Sequence, residues 1–306
     1  MRILFISSGN AGDSISPIVL NQGESLIERK LLINFFPIKG KGFLPYFKHI
    51  LILRKYRHNN KFDLFHAHYS LSAFVATLAG CRPLIVSLMG SDTKCSIFLK
   101  KIIQILAKRR WSTVIVKSAS MKNDIGIDKA VIIPNGVDLR KVVPGKIEKN
   151  NQDKKIILFA ADPRREVKNY YLAEKAVLLL ENKNVVLKVV HSKPYSEILA
   201  EINNSDLVLL TSLWEGSPNI IKEAMACNCP IVATDVGDVK SIIGNTEGCY
   251  LTSFDPADVA EKIKSALNFG KKSNGRQRII DLKLDSASIA ARIMQTYEVV
   301  LNYGRK

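Results

Sequence analysis

Residues 205–237 read SDLVLLTSLWEGSPNIIKEAMACNCPIVATDVG. The aliphatic run DLVLLTS ends in a polar turn, and a second apolar run, PIVATD, follows one helix length later. Strand, helix and parallel strand form the repeating unit of α/β folds. Ser217 fits the N-cap of that helix and Pro218 its first position, where a missing N–H costs nothing. The free N–H groups near Asn219, Ile220 and Ile221 then favour an anion such as a pyrophosphate. Glu215 lies in the loop before the helix and Glu223 more than a turn inside it, so the two carboxylates bracket one ligand at two heights. An acid beside an anion site is awkward unless it accepts hydrogen bonds from hydroxyls. A sugar ring or a ribose diol supplies them.

The same alternation extends along the chain. RILFIS, DLFHAH, PLIVSL and TVIVKS predict buried strands in the first half, and KIILFAA, VVLKVV, DLVLLTS and PIVATD do so in the second. Between the halves, VVPGKIEKNNQDKK has the composition of a linker. The final segment, SASIAARIMQTYEVVLNYG, has helical spacing at Ile289, Ile293, Tyr297 and Leu301. These patterns predict two Rossmann-like α/β domains, residues 1–147 and 148–285, and a helix over 286–306 that closes the chain. Ligands of open parallel sheets bind beyond the carboxyl ends of the strands, which places the expected site in a cleft between the domains. The first strand runs into SSGNAGDS, whose Gly9 and Gly12 allow a close backbone approach without completing a dinucleotide fingerprint. That segment serves as a tight turn or as a ligand loop.

The 306 residues are 47% hydrophobic and 24% charged, a globular mixture with room for two cores. No secretory leader or membrane-spanning run is expected, so the chain is placed in the cytoplasm. Five cysteines with no C-x-x-C pair suggest reduced packing residues. The net charge of +17 is unevenly spread: 23 Lys and Arg face 8 Asp and Glu in residues 1–147, against 22 and 20 in the remainder. A polyanionic partner for the first half is one explanation, and general solubility is another. FLPYFKHILILRKYRHNN and IFLKKIIQILAKRRW mix apolar and cationic residues as helices lying on anionic lipid do, or as ordinary helices packing one face inward.

The segment WEGSPNIIKEAMACNCPIVATDVG resembles the E-x₇-E region of glycosyltransferase family four, retaining enzymes of the GT-B fold that use nucleotide sugars. DLFHAHYSLSAFVATLAGCRPLIVSLMGSD is similar to the family's third and fourth strands, VIIPNGVDL to its interdomain signature, and FAADPRREVKN to its phosphate-binding strand and loop. The resemblance implies that Glu223 binds the donor ribose and that Glu215, with the backbone of residues 216–219, holds the donor sugar. Arg165 and Lys168 then neutralise the diphosphate, whose charge grows as the glycosidic bond breaks. The catalytic set is Glu215, Arg165 and Lys168, and the donor-binding set is Gly12, Gly216, Ser217, Asn219, Ile220 and Glu223. No metal and no further cofactor is expected beyond the nucleoside-diphosphate sugar.

Two features depart from the family pattern. The family spaces its Arg and Lys as G-R-x₄-K, whereas DPRREVK offers Arg164 and Arg165 close to Lys168. Met89 stands where many relatives carry a histidine. Asp92 either orients a sugar hydroxyl or caps the following helix. His66 and His68 alternate along a strand end, so at most one is expected to face the ligand, and His68 is the candidate acceptor contact. Asn135 and Gly136 are expected to shape the interdomain turn, since both tolerate positive φ.

The expected function is transfer of a hexose-type sugar, with retention and without metal, to a surface-glycan precursor such as lipopolysaccharide, capsule or a lipid-linked saccharide. The expected partners are a nucleotide sugar, a glycan or lipid-linked acceptor and the anionic inner face of the cell membrane. A sugar-nucleotide epimerase on the same fold is the nearer alternative. A nucleic-acid-binding protein using the basic half is the more distant one, opposed by the absence of a recognised nucleic-acid motif.

Overall fold

A computed structural model describes residues 1–10, 15–40, 43–145 and 154–303. Among them, the first sheet comprises β1 (Arg2–Ser8), β2 (Leu32–Ile38), β3 (Leu64–His68), β4 (Leu84–Ser87), β5 (Thr113–Val116) and β6 (Val131–Ile132). Their spatial order is β2-β1-β3-β4-β5-β6, with every pairing parallel. The four runs expected from the sequence became β1, β3, β4 and β5, the inner strands. β3 and β4 are buried at every position, as a parallel sheet covered on both faces requires. The flanking strands β2 and β6 did not announce themselves. β2, LINFFPI, alternates weakly and contains Pro37, which an edge strand tolerates because one side of its ladder is unpaired.

The second sheet comprises β7 (Lys155–Phe159), β8 (Val185–Val189), β9 (Leu207–Leu210), β10 (Ile231–Thr234) and β11 (Cys249–Thr252), in the order β11-β10-β9-β7-β8, again all parallel. β9 and β10 are the two apolar runs of residues 205–237, and all eight of their residues are buried. In each sheet the chain leaves the first strand toward one edge and then crosses over to build the other. The crossover falls between β1 and β3 in the first sheet and between β7 and β9 in the second. Such switch points open a crevice at the carboxyl ends of the strands they separate.

Met1–Gly136 and Ser286–Lys306 form one unit, and Val137–Asp285 the other. The division thus falls after Gly136, earlier than the boundary at residue 147 expected from composition. The reason is that residues 137–145 are bonded into the second unit. Val137 N–H donates to Leu284 O, Gly145 N–H to Asn203 Oδ1, and the Arg276 guanidinium to the carbonyls of Leu139 and Val142. Residues 146–153, the centre of the expected linker, lie outside the described residues. Neither Asn135 nor Gly136 takes a positive φ, so the conformational reason given for that turn does not hold.

The C-terminal helix, Ser286–Tyr303, groups with the first unit. Ile289, Ile293 and Tyr297 are buried on one stripe, and the Tyr297 hydroxyl meets His66 Nδ1 at 2.7 Å. Arg29 and Arg292 tie the helix further through the carbonyls of Ala287 and Ile132. The two basic segments form the helices Phe43–Asn59 and Ile97–Arg109. Each buries a narrow stripe, Leu53 in one and Ile103 in the other, and leaves large apolar side chains in solvent. Leu44, Phe47 and Leu51 on the first, and Ile97 and Phe98 on the second, are 63–83% exposed. No helix among the described residues is long and apolar enough to cross a membrane.

Candidate donor site in the second unit

Two loops leave the switch point of the second sheet, and they are bonded to one another. Residues 162–169 follow β7 and end in a short 3₁₀ turn, Glu166–Lys168, before Asn169 turns through φ 49° into the helix Tyr170–Leu178. Residues 211–218 follow β9. Leu213 N–H donates to Val167 O at 2.9 Å, and Thr211 Oγ1 donates to the carbonyls of Lys168 and Asn169 at 3.1 and 3.0 Å. From the other side Thr234, the last residue of β10, donates to Ser212 O at 2.8 Å. Gly237 closes the frame at φ 64°. A Cβ there would lie 2.8 Å from Gly216 O and 3.0 Å from Glu215 O, so any side chain would push the turn away.

Within this frame two of the three expected catalytic residues meet. Lys168 Nζ donates to Glu215 Oε1 at 2.5 Å, and Ser212 Oγ donates to the same oxygen at 2.8 Å. Both charged side chains are largely buried, at 15% and 17% exposed. Arg165 stands in solvent at the start of the 3₁₀ turn, and its guanidinium has no partner among the described residues. Arg164 is held in an exposed pair with Asp162, its Nε and Nη2 donating at 2.9 and 2.8 Å. The Asp162 carboxyl is correspondingly lowered to about 2. Of the two arginines, Arg165 is therefore the one with its charge uncommitted.

The helix begins one residue later than expected. Pro218 is the N-cap and the helix runs Asn219–Ala226, so Ser217 does not cap it. The Ser217 hydroxyl instead accepts from Lys222 Nζ at 3.0 Å. Asn219 and Ile220 occupy the first two helical positions, and Gly216 is buried under the turn. Glu223, in the second turn, accepts from the Tyr195 hydroxyl at 3.1 Å. Burial pushes the Glu223 carboxyl up, while the Tyr195 bond and the Lys222 charge act against that rise. Tyr195, Lys222, Gly237 and Asp238 are site residues that no sequence motif pointed to. Gly12 lies outside the described residues.

In the first unit the two sequence candidates behave differently. His66 and His68 are two residues apart on β3 and therefore share a face, which corrects the expectation that only one could turn toward a ligand. Their rings stack with centroids 4.4 Å apart, and neither is exposed. His66 is bonded at both nitrogens, to Tyr297 and Ser87. His68 has a partner at neither, and desolvation followed by the nearby Lys117 charge lowers it to about 3. Asp92 does not cap the following helix, Ile97–Arg109, whose N-cap is Ser96; it lies inside the short helix Gly90–Thr93. Its Oδ2 accepts from Met89 N–H at 2.7 Å, and its Oδ1 from Ser70 N–H and Oγ at 3.1 and 2.7 Å, joining the starts of two helices. Among the described residues, no group of three or more His, Cys, Asp or Glu is placed to hold a metal.

Comparison with known proteins gives a consistent picture. The family profile of glycosyl transferases group 1 matches residues 146–280, and that of Glycosyltransferase Family 4 matches residues 15–141. A putative teichuronic acid biosynthesis glycosyltransferase of Bacillus subtilis is 25% identical over 66% of this chain and 60% of its own length. The N,N'-diacetylbacillosaminyl-diphospho-undecaprenol alpha-1,3-N-acetylgalactosaminyltransferase of Campylobacter jejuni is 30% identical over 59% of this chain and 56% of its own. The chain thus spans about six-tenths of the length of these curated relatives. Among solved structures, the sucrose-phosphate synthase of Thermosynechococcus elongatus superposes with a TM-score of 0.83 at 16% identity, covering 99% of this chain and 100% of that one. Anabaena HepE in complex with UDP and glucose gives 0.77 at 18% identity, covering 97% and 99%. The two profiles together cover most of the sequence and the superpositions nearly all of the fold, and the chain belongs to glycosyltransferase family four, with the GT-B fold.

Proposed function

We propose that the chain transfers a hexose-type sugar from a nucleoside diphosphate to a surface-glycan or lipid-linked saccharide precursor. The observation that supports this most directly is the meeting of Lys168, Glu215 and a helix N-terminus at the switch point of the second sheet. A diphosphate placed over the Asn219 and Ile220 N–H groups has Lys168 and Arg165 for its charge. Glu223 takes the ribose diol, and the second oxygen of Glu215 takes a hydroxyl of the sugar. As the bond from the anomeric carbon to the phosphate oxygen breaks, negative charge grows on the diphosphate, and fixed cations stabilise it more in the transition state than in the ground state.

The proposed course is front-face substitution with retention. The acceptor oxygen bonds to the anomeric carbon on the face the leaving phosphate vacates, and the acceptor proton passes to that phosphate. Two cations and the helix supply the compensating charge, so no metal is required. The Campylobacter relative is named for a diphospho-undecaprenol acceptor, and a lipid-linked acceptor of that kind suits the basic first unit with its exposed apolar helices. We place the protein at the inner face of the membrane, held peripherally.

Calorimetry with UDP-, GDP- and ADP-sugars in EDTA, followed by product analysis with membrane extracts, tests the proposal. Binding of one donor class and a new glycolipid with retained anomeric configuration are expected. Donor binding with no transferred sugar, or an epimerised nucleotide sugar as product, overturns it.

A further inference from the structure

Lys222 is fully buried and ranks among the largest side chains without solvent contact. An ammonium in that position loses its hydration, and the fold must replace the lost water with partners. Nζ donates to Ser217 Oγ, and Ser217 is in turn bonded to the Asp238 carboxyl. The charges of Asp238 and Glu223 both favour the protonated amine. Asp238 Oδ1 is buried without a hydrogen-bond partner, and the neighbouring Gly237 closes onto the carbonyls of Glu215 and Gly216. Three segments therefore converge on one ammonium: the turn before the helix, the helix itself and the turn after β10.

Resting on the donor role proposed above, we propose that Lys222 is a positioning residue of the donor site, fixing the diphosphate-facing turn through Ser217 and Asp238. Lys222 does not touch the donor. It holds the turn from which the Asn219 and Ile220 N–H groups project, and its charge opposes the burial that favours a neutral Glu223. A protonated Glu223 would offer the ribose diol one acceptor fewer.

The device is sensitive to pH. Burial lowers Lys222 to about 8, with Asp238 and then Glu223 pulling it back up. Glu215 acts on Asp238, and Tyr195, from the helix Tyr195–Asn203, acts through Glu223. On the helix Gly275–Asp281, Arg276 is spent on the carbonyls of Leu139, Val142 and Ala226. The ammonium is thus present at pH 7 and lost as pH rises through about 8.

Titration of UDP, GDP and ADP into the full chain at pH 7 and pH 9 tests this, using wild type, Lys222→Met, Ser217→Ala and Asp238→Asn. Removing the ammonium leaves the buried Asp238 and Glu223 carboxyls without its compensating charge, so Lys222→Met is expected to melt below wild type. It should bind the preferred nucleotide about tenfold more weakly at pH 7, the scale of a lost charged hydrogen bond. Wild type should lose affinity between pH 7 and 9, and Lys222→Met should not. Ser217→Ala, which keeps the charge and cuts the link, should fall less and retain the pH limb. A Lys222→Met protein with wild-type affinity and an unchanged limb overturns the proposal, as does a Ser217→Ala protein that both melts and binds as wild type does. Should Lys222→Met fail to fold, wild-type binding by both Ser217→Ala and Asp238→Asn overturns it. Failure of wild type to bind any of the three nucleotides defeats the donor role itself, a result distinct from the others.

Discussion

The two sheets share a topology at their switch points and differ in how fully the polar side chains there are paired. In the second unit the polar side chains at the crevice are bonded to one another: Lys168 and Ser212 to Glu215, Tyr195 to Glu223, Lys222 to Ser217. In the first unit His66 and Asp92 are bonded too, but Ser7 at the end of β1, His68 at the end of β3 and Ser72 in the following helix are buried with unpartnered side-chain atoms, where the second unit's site leaves Asp238 Oδ1 so. The outer surface of that unit carries the cationic excess. Preorganised dipoles favour tight recognition of one charged group, and the near-neutral unit has them. A crevice with unpartnered buried polar atoms fits a ligand that brings its own.

The largest test of this contrast is acid. Burial holds His68 at about 3, below the 6.5 of a free imidazole. Between those values the unfolded chain binds a proton that the folded chain refuses, so stability present above pH 6.5 is lost as pH falls toward 3. Each pH unit between the two values is worth about 1.4 kcal/mol, so the loss approaches roughly 5 kcal/mol. His66 is also held well below its ordinary value, by burial and then the His68 charge, so His68→Phe should weaken the acid limb without abolishing it. Of the chain's two tryptophans, Trp111 lies in the first unit and Trp214 in the second. Urea melts of Trp214→Phe proteins between pH 7 and 4 therefore report the first unit in the intact chain. An acid limb unchanged by His68→Phe would show that the buried imidazole does not govern it.

Lys168→Ala comes next, with kcat and kcat/KM both expected to fall about 100-fold because leaving-group charge develops during the reaction. Steady-state turnover at the wild-type rate would remove Lys168 from the phosphate site and leave its Glu215 contact merely structural.

How far the sequence foretold this division depends on which residues are asked. Inner strands such as PLIVSL and DLVLLTS were plain because burial on both faces demands continuous apolar runs. β2 and β11 escaped notice because they are only partly buried, and β6 because it is two residues long, whereas the edge strand β8 was legible in VVLKVV. Within the site, Glu215 and Glu223 stood out through a local spacing, and Lys168 through the resemblance of its loop to the family's phosphate-binding loop. Lys222 sits next to Glu223 and was missed all the same, since a lysine in a helix is ordinarily a solvated one. Its burial explains the misplaced cap, because Ser217 was already engaged. Tyr195 and Asp238 reach the site from a separate helix and turn, and no short-range pattern connects them to it.

Charge makes the third test. Replacing Lys100, Lys101, Lys108, Arg109 and Arg110 with Gln should weaken binding to phosphatidylglycerol liposomes about 30-fold at low salt, while nucleotide affinity in the second unit stays at the wild-type value. Attraction to the surface is screened within a Debye length of about 8–10 Å, so added salt should erase the difference. Cosedimentation with duplex and single-stranded competitors present reads the outcome. Tight nucleic-acid binding without lipid preference would assign the basic surface to a different polyanion.

The smallest effect belongs to Tyr195. Glu223→Ala removes the ribose contact outright and should raise the donor KM about tenfold with little change in kcat, since ground and transition states share that contact. Tyr195→Phe leaves the carboxylate in place and removes only the hydroxyl donating to its Oε1 at 3.1 Å. That bond orients Glu223 and is one of the interactions opposing the upward pull of burial on its carboxyl. A hydrogen bond of this kind contributes about 0.5–1.5 kcal/mol net, so KM should rise roughly threefold, with kcat unmoved. If the second unit is preorganised as its bonding suggests, Tyr195→Phe in a Glu223→Ala background should add nothing further, because the residue it orients is gone. An additive loss in the double variant would mean that Tyr195 touches the nucleotide directly. The bonded network would then be a set of independent contacts, and the contrast with the first unit would rest on charge alone.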